Sequence, residues 1–226
     1  MIKTILVPQG SEYQAVCRGL NKVQGFSAQV IAIPMGMKSL QKFLHQNYQH
    51  LQQQNQPVLL MGLCGSLSQH YSIGDVVLYE DCIYQGNLES CHLDLNKYIY
   101  EKLRSQVYFV KGLTSDRMIA LATEKSNLHK SFAADVVDME GFAFLNFFFP
   151  PVSAAILRVV SDDCIHDIPD LTAAIGSDGS LHPLSLTRQF IRQPIAALRL
   201  IRGSLTALKI LETTAYHLAN SLTTRV

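Results

Sequence analysis

The sequence of 226 residues has almost no net charge, no long uninterrupted apolar run and no regular cysteine spacing. Its 19 Lys and Arg against 18 Asp and Glu create no global field that favours nucleic acid or a membrane surface. The most apolar region, Phe142 to Leu157, contains Asn146 and two prolines, so it does not predict a membrane span. The amino terminus lacks the apolar stretch of a signal peptide. We therefore expect a cytoplasmic protein with no nucleic-acid partner and no stable membrane insertion.

The five cysteines are odd in number, and no two of them have Cys-x-x-Cys spacing. This pattern indicates reduced intracellular thiols and not a disulfide framework or a zinc site. The eight histidines, His166 and His182 among them, show no metal-ligand spacing either. We expect no metal and no cofactor.

Apolar segments of strand length alternate with segments of helical pattern, and a hydrophobic content of 48% indicates a globular protein with a substantial core. This alternation predicts an α/β fold: a central mixed, mostly parallel β-sheet flanked by helices. No linker divides the chain, so we expect a single domain over residues 1–226. The predicted strands are Thr4–Val7, Gln29–Ile33, Val58–Met61, Asp75–Tyr79, Val107–Lys111, Asp135–Val137 and Ala154–Val160. The predicted helices are Glu12–Leu20, Lys38–Gln52, Leu95–Leu103, Glu124–Lys130 and Gly141–Phe149.

The carboxyl-terminal part, residues 185–226, is predicted to be a helical extension, with Pro194 permitted at the start of its second helix. One interpretation is a helix that docks its apolar stripe on the core and leaves a basic side in solvent. The other is a basic amphipathic surface near a lipid or lipid-like substrate. The stripe comprises Ile191, Ile195, Leu198, Ile201, Leu205 and Leu208, and the basic residues are Arg188, Arg192, Arg199, Arg202 and Lys209.

Acidic residues follow directly after two of the predicted strands. One is followed by Asp138-Met139-Glu140 and the other by Ser161-Asp162. If these strands are parallel, both side chains open onto the edge where open α/β sheets bind ligands. The alternative is that Glu140 is an N-terminal helix residue favoured by the helix dipole and that Asp162 is a helix cap.

Two further strand ends carry Glu12 and the segment Gly62–Ser66, whose glycines allow a ligand close to the backbone. A tight strand-to-helix turn is the alternative for this segment. Three carboxylates suit N-glycosidic chemistry, which needs an acid for the leaving base, a group that holds the ribose hydroxyls and a base for water. Asp162, as the acid, must hold a proton at neutral pH, which burial beside a like charge would favour.

The motifs Gly62–Leu67, Val137–Glu140 and Arg158–Asp162 occur here in the order of the nucleoside phosphorylase and nucleosidase superfamily, which the chain resembles over roughly its first 165 residues. Members include purine nucleoside phosphorylases and methylthioadenosine/S-adenosylhomocysteine nucleosidases. The segments around Lys125 and Gly179–Leu184 more loosely resemble the hopanoid-associated phosphorylase-like branch.

This resemblance implies roles for individual residues. Asp162 would protonate or hydrogen-bond the purine N7 with support from Ser161. Glu140 would bind the ribose hydroxyls, and Met139 would pack under the sugar. Glu12 stands where nucleosidases place the carboxylate that activates water. The other expected substrate contacts come from the same motifs and are Gly62, Cys64, Gly65, Ser66 and Asp138.

The resemblance also favours water over phosphate as the attacking group. Where phosphorylases place phosphate-binding arginines, this chain has Glu12 and Leu60-Met61, although Arg18 and Arg117 stay as alternative phosphate ligands. We expect a nucleosidase that releases the base from an adenosine-type nucleoside or a lipid-linked adenosyl compound, assembled as a homodimer or higher oligomer. The alternatives are a phosphate-dependent purine nucleoside phosphorylase and a nucleoside-binding module with little turnover.

Overall fold

The structure, a computed structural model, describes residues 2–47, 56–103, 107–148, 152–169 and 190–223. In these ranges the chain forms one sheet of eight strands with helices on both faces. The strands are β1 (Thr4–Pro8), β2 (Gln29–Ile33), β3 (Val58–Ser66), β4 (Val76–Tyr84), β5 (Asn87–Ser90), β6 (Val107–Thr114), β7 (Val136–Asp138) and β8 (Ala154–Asp162). The helices are α1 (Ser11–Leu20), α2 (Met37–Gln46), α3 (Leu93–Leu103), α4 (Ala122–Phe132), α5 (Gly141–Phe148) and α6 (Pro194–Thr223).

Strand β3 lies at the centre of the sheet. Along one edge it pairs first with β1, in parallel, and then with β7, antiparallel; along the other edge it pairs in parallel with β8. Strand β8 also pairs antiparallel with β4, while β6 pairs in parallel with both β4 and β7. Five of the eight pairings are parallel, and this confirms the predicted mixed, mostly parallel sheet.

Two hydrophobic cores cover the two faces of the sheet. On one face Leu40 and Leu44 of α2 pack with Phe144 and Phe148 of α5. On the other face α1, α3 and α6 pack together, with Leu211 of α6 fully buried among them. Strand residues alternate between the two cores, as expected for strands covered by helices on both sides.

The apolar stripe predicted to dock on the core faces solvent instead. Helix α6 buries a different face, which consists mainly of small residues such as Ala207, Ala215 and Ala219. Gly203 lies so close to the Ser161 carbonyl of β8 that a Cβ there would clash with it. Small side chains allow the close approach of helix and sheet, whereas most of the larger stripe residues stay outside. Leu208, partly buried and lining a cavity, is the exception.

The predicted elements were confirmed within the described ranges, but several bounds differ. Strand β3 extends to Ser66, so the segment Gly62–Ser66 is not a turn at a strand end but the second half of a strand. Strand β5 was missed because it is short and exposed. The predicted helix Lys38–Gln52 ends at Gln46, and its continuation falls in residues 48–55, outside the described part. The same holds for Phe149 and for residues 185–189 and 224–226.

None of the helices in the described ranges is both long enough and apolar enough to cross a membrane.

Candidate active site

A cavity of about 390 Å³ lies where β3, β7 and β8 end, closed on one side by α6. Eight of the ten predicted site residues line it. They are Glu12, Cys64, Gly65, Asp138, Met139, Glu140, Ser161 and Asp162. The remaining lining residues are Gln9, Gly10, Ser11, Met35, Leu63, Arg117, Met118, Ile119, Val137, Ile168, Leu200, Ser204 and Leu208.

Gly65 brings the two carboxylate-bearing strands together. It pairs with Val137 of β7 on one side and with Asp162 of β8 on the other. A Cβ at position 65 would lie 2.8 Å from the Asp162 Oδ2, so only glycine leaves room for that carboxylate. Glu140 and Asp162 line the same cavity, at the same edge of the sheet as predicted. The reason given for this prediction was wrong, because β7 is antiparallel to β3 whereas β8 is parallel.

Arg158 is the central cation of the site. It is fully buried, and its Nη2 donates to Asp138 Oδ2 at 3.0 Å and to Glu140 Oε2 at 3.2 Å. Burial disfavours the charged guanidinium, but these carboxylates outweigh it and raise the pKa of Arg158. Its Nε and Nη1 are buried and have no hydrogen-bond partner among the described residues. Arg158 is not among the residues that line the cavity, so it acts on the site through the carboxylates that it holds.

Asp138 and Glu140 are held differently. The Asp138 carboxylate also accepts hydrogen bonds from Thr114 Oγ1 at 2.8 Å and from the Gly141 amide at 3.1 Å. With Arg158 this makes it a structural group that orients the guanidinium. Glu140 accepts a bond from the Gly36 amide at 2.8 Å through Oε1. Since its carboxylate binds other elements, Glu140 is not simply a helix N-terminal residue of α5.

Glu12 lies at the start of α1 and reaches the middle of β3. Its Oε2 accepts a hydrogen bond from the Leu63 amide at 2.7 Å. Burial of the carboxylate raises its pKa to about 7, although Arg158 acts in the opposite direction. A Cβ at Gly62 would clash with both Glu12 Oε2 and Arg158 Nη1, so these two groups flank that glycine. Gly62 therefore serves the site by leaving space for charged groups, and it is not itself among the lining residues.

Asp162 ends β8 and carries two side-chain contacts. Its Oδ1 accepts a hydrogen bond from Ser161 Oγ at 2.9 Å, and its Oδ2 binds Lys125 Nζ. Lys125 is fully buried on α4 and also donates to the Asp163 carbonyl at 2.6 Å. The expectation of a like charge beside Asp162 was wrong, because its neighbour is an ammonium. The helix-cap interpretation is wrong as well, since Asp162 is a strand residue bound to side chains.

Two of the residues named from the sequence, Ser66 and Arg18, do not line the cavity, whereas Cys64 does. Ser66 Oγ donates to the Ser68 carbonyl at 2.7 Å, and Ser66 is not a lining residue. Burial raises the pKa of the Cys64 thiol, which keeps it protonated and agrees with a packing residue instead of a nucleophile. Arg18, considered as a phosphate ligand, lies on the surface and pairs with Glu212 at 2.9 Å. Arg117 does line the cavity, where it also pairs with Glu124.

The walls of the cavity are aliphatic and sulfur-containing. Met35, Met118 and Met139 contribute sulfur, and no lining residue in the described part of the chain is aromatic. Leu200, Ser204 and Leu208 of α6 form a further part of the wall. These residues, like the Lys125 contact, were not predicted. Residues 200, 204 and 208 are four positions apart, so the sequence does place them on one face of a helix. It does not show that this face of α6 is turned towards the sheet.

The chain belongs to the phosphorylase superfamily, whose family model matches residues 30–176, more than half of the sequence. This confirms the resemblance found in the motifs. No curated protein matches the sequence.

Solved structures of nucleosidases share the fold. A putative 5′-methylthioadenosine/S-adenosylhomocysteine nucleosidase from Borrelia burgdorferi, bound to adenine, has 13% identity and a TM-score of 0.69, covering 96% of this chain and 98% of its own. The corresponding enzyme of Helicobacter pylori, with 5′-methylthioadenosine in its active site, has 15% identity, a TM-score of 0.64 and coverages of 94% and 97%. Futalosine hydrolase of Helicobacter pylori has 17% identity, a TM-score of 0.63 and coverages of 95% and 97%. At these identities the likeness shows the α/β fold with its carboxyl-terminal helix.

Proposed function

We propose that this protein is a nucleosidase that hydrolyses the N-glycosidic bond of an adenosine-type nucleoside and releases the base. The observation that carries the proposal is that Glu12, Glu140 and Asp162 line one cavity in three different environments. Each carboxylate has its own partners, so each suits a different task in the reaction. The similarity to nucleosidase structures supports this assignment.

Asp162 suits the leaving-base side. Cleavage requires a proton or a strong hydrogen bond at the purine N7, so that the base does not depart as an anion. Ser161 fixes one carboxylate oxygen and Lys125 contacts the other. The Lys125 ammonium can pass a proton to Asp162, and Asp162 can pass it on to N7. The proton released by the attacking water later restores the pair, so the reaction consumes only water.

Glu12 suits the water side. A general base works best when its pKa is close to the working pH, and a value of about 7 meets this condition. Arg158 Nη1 lies near the same carboxylate, next to Gly62, and its positive charge favours the ionised form of Glu12. A water in the cavity beside Glu12 can lose its proton to this carboxylate as its oxygen attacks the anomeric carbon. A phosphate dianion is less suited to this position, because Glu12 and Glu140 repel it.

Glu140 suits the sugar. One of its oxygens is held by Gly36 and the other by Arg158. A carboxylate fixed in this way can accept hydrogen bonds from both ribose hydroxyls. Its negative charge also stabilises the oxocarbenium-like sugar that forms as the base leaves.

The substrate is proposed to carry an apolar 5′ substituent, and a lipid-linked adenosyl compound belongs to this class. Apolar side chains of several elements line the cavity, among them Met35, Ile168, Leu200 and Leu208. Such walls favour an alkyl or alkylthio group over a phosphate or a free hydroxyl. A series of 5′-alkylthioadenosines of increasing chain length tests this: kcat/KM is expected to rise with length.

The reaction itself is tested by incubating the purified protein with adenosine, 5′-methylthioadenosine, S-adenosylhomocysteine and inosine, with and without phosphate, and measuring free base. We expect base release without phosphate and its loss in Asp162→Asn, with thermal unfolding unchanged in that variant. Strict dependence on phosphate would instead identify a phosphorylase, in which Arg117 is the available cation. No release from any substrate, together with thermal stabilisation by adenine, would identify a binding module.

A further inference from the structure

Helix α6 and the helical turn before it have an exposed apolar stripe, which no other part of the described chain covers. The stripe consists of Ile191, Ile195, Leu198, Ile201 and Leu205. Ile191 and Ile195 are 76% and 75% exposed, and Leu205 is 62% exposed. Single exposed apolar residues are normal on a protein surface, but a continuous row at helical spacing indicates a surface that contacts something apolar.

Basic side chains border this stripe. Arg199, Arg202 and Lys209 each follow a stripe residue by four positions, so each lies one helical turn from it. Residues 190–211 also contain Arg192 and no Asp or Glu. The adjoining groove contains the acidic side chains of Asp167 and Glu124, and Glu124 is already paired with Arg117. Asp162 and Asp163 share a small pocket with Arg199. Arg199 donates to the Asp167 backbone carbonyl at 3.3 Å and forms no ion pair with a carboxylate of the described residues.

We propose that this face binds the surface of a membrane rich in anionic lipid, with α6 lying in the plane of the interface. An apolar stripe with a cationic border is the pattern of helices that insert their apolar side chains between lipid headgroups. Charge favours lipid over a second copy of the chain. A two-fold contact through this face would bring the arginines of one copy against those of the other, with no acidic residue on the helical segment to compensate them.

The same helix separates this surface from the candidate active site. Leu200, Ser204 and Leu208 of α6 line the cavity, while the stripe lies on the opposite, solvent-facing side. The cavity wall and the membrane-binding face are therefore two sides of one helix. That membrane binding serves to collect a lipid-linked substrate rests on the proposed function, whereas membrane binding itself does not.

The binding is tested with the full chain and sedimented vesicles. Vesicles of phosphatidylcholine with about 40% phosphatidylglycerol, whose headgroup gives a negative surface potential, are compared with vesicles of pure phosphatidylcholine. We expect binding to the anionic vesicles that weakens in high salt, because the charges are then screened. Arg199→Gln with Arg202→Gln should weaken it about thirtyfold, the equivalent of roughly 1 kcal/mol for each basic side chain near the membrane.

The apolar contribution is tested separately. Ile195→Ser with Leu198→Ser should remove vesicle binding, while Leu93→Ser, an equally exposed leucine on α3, serves as the matched control and should bind like the parent protein. All variants should release base from soluble 5′-methylthioadenosine at the parent rate. The rate of base release tests the proposed nucleosidase function, and vesicle binding tests the proposed membrane-binding face. The two can fail independently, because a protein without nucleosidase activity can still bind vesicles.

Four results would overturn the membrane proposal, and the first three concern vesicle binding. They are equal binding to neutral and anionic vesicles, an equal loss of binding in Leu93→Ser, and no vesicle binding at all. If the Ile195→Ser and Leu198→Ser variant does not bind vesicles but changes from dimer to monomer in sedimentation velocity, the stripe is an interface between copies and the proposal is wrong.

Discussion

The carboxylate of Glu12 links activity to pH. Its pKa of about 7 means that it becomes ionised, and so able to accept a proton from water, only as the pH rises through neutrality. We expect kcat/KM to rise with pH up to about 7 and then to become constant. In Glu12→Gln this rise on the acidic side of the pH profile should disappear, together with most of the activity. A profile that is flat from pH 5 to 7 in the parent protein would contradict the role of Glu12.

The same residue affects stability with the opposite sign. Because the pKa of Glu12 is raised in the folded state, the unfolded chain releases this proton at lower pH, and the folded state loses stability between about pH 4.5 and 7. Glu12→Gln should therefore unfold at a higher temperature than the parent at pH 8 but not at pH 4. This comparison serves as the control that the variant is folded.

In the proposed reaction Lys125 acts through Asp162, which its Nζ contacts, so we regard it as a positioning residue. Lys125→Met removes the ammonium and should lower kcat by about 10²-fold, the range associated with general acids, with KM changed much less. Lys125→Arg keeps the charge and should restore part of kcat. A lysine with only a packing role predicts the reverse order, because Met is the better apolar replacement for a fully buried side chain.

Combining Lys125→Met with Asp162→Asn measures whether the two residues act as a unit. If they do, the double variant should be little worse than Asp162→Asn alone. Additive losses in kcat would show that Lys125 works independently of Asp162. Thermal unfolding of all four proteins shows whether each variant is folded.

At the scale of the element, strand β3 is the part on which the site depends. Gly65→Ala places a Cβ 2.8 Å from the Asp162 carboxylate, which must then move away from Ser161 and Lys125. A displacement of this size is expected to lower kcat about 10²-fold. Met61→Leu, a volume-conserving change in a buried residue of the same strand, is the matched control and should retain activity. Equal losses in both variants would indicate general damage to β3 instead.

The course of β3 also shows where sequence reasoning reached its limit. The apolar run Val58–Met61 predicted a strand, but glycines at 62 and 65 indicated that it had ended. In the structure those glycines continue the strand, because Arg158 and Asp162 occupy the space of their missing side chains. Only the fold reveals contacts between residues about 100 positions apart. For the same reason Lys125 was recognised as part of a motif but not as the partner of Asp162.

At the scale of the whole molecule, the order of the strands and helices, apart from β5, and eight of the residues that line the cavity could be predicted from the sequence. Buried strands produce apolar runs, and functional carboxylates interrupt those runs visibly. The orientation of α6 could not be predicted, because both of its faces carry aliphatic residues. At Gly203 the helix approaches the Ser161 carbonyl of β8 so closely that only a face with small side chains can pack against the sheet. The charge of the neighbour of Asp162 was likewise fixed by the packing of α4.

The two paired edges of β3 have a consequence for the growing chain. During synthesis β3 is complete at residue 66, whereas β7 begins at residue 136 and β8 at residue 154. Until then an apolar strand keeps one whole edge and half of the other without a partner. Open edges of this kind are templates for aggregation. We therefore expect β3 to be prone to aggregation in the growing chain until β8 is made, and the proposed nucleoside cleavage requires β8, because that strand carries Asp162.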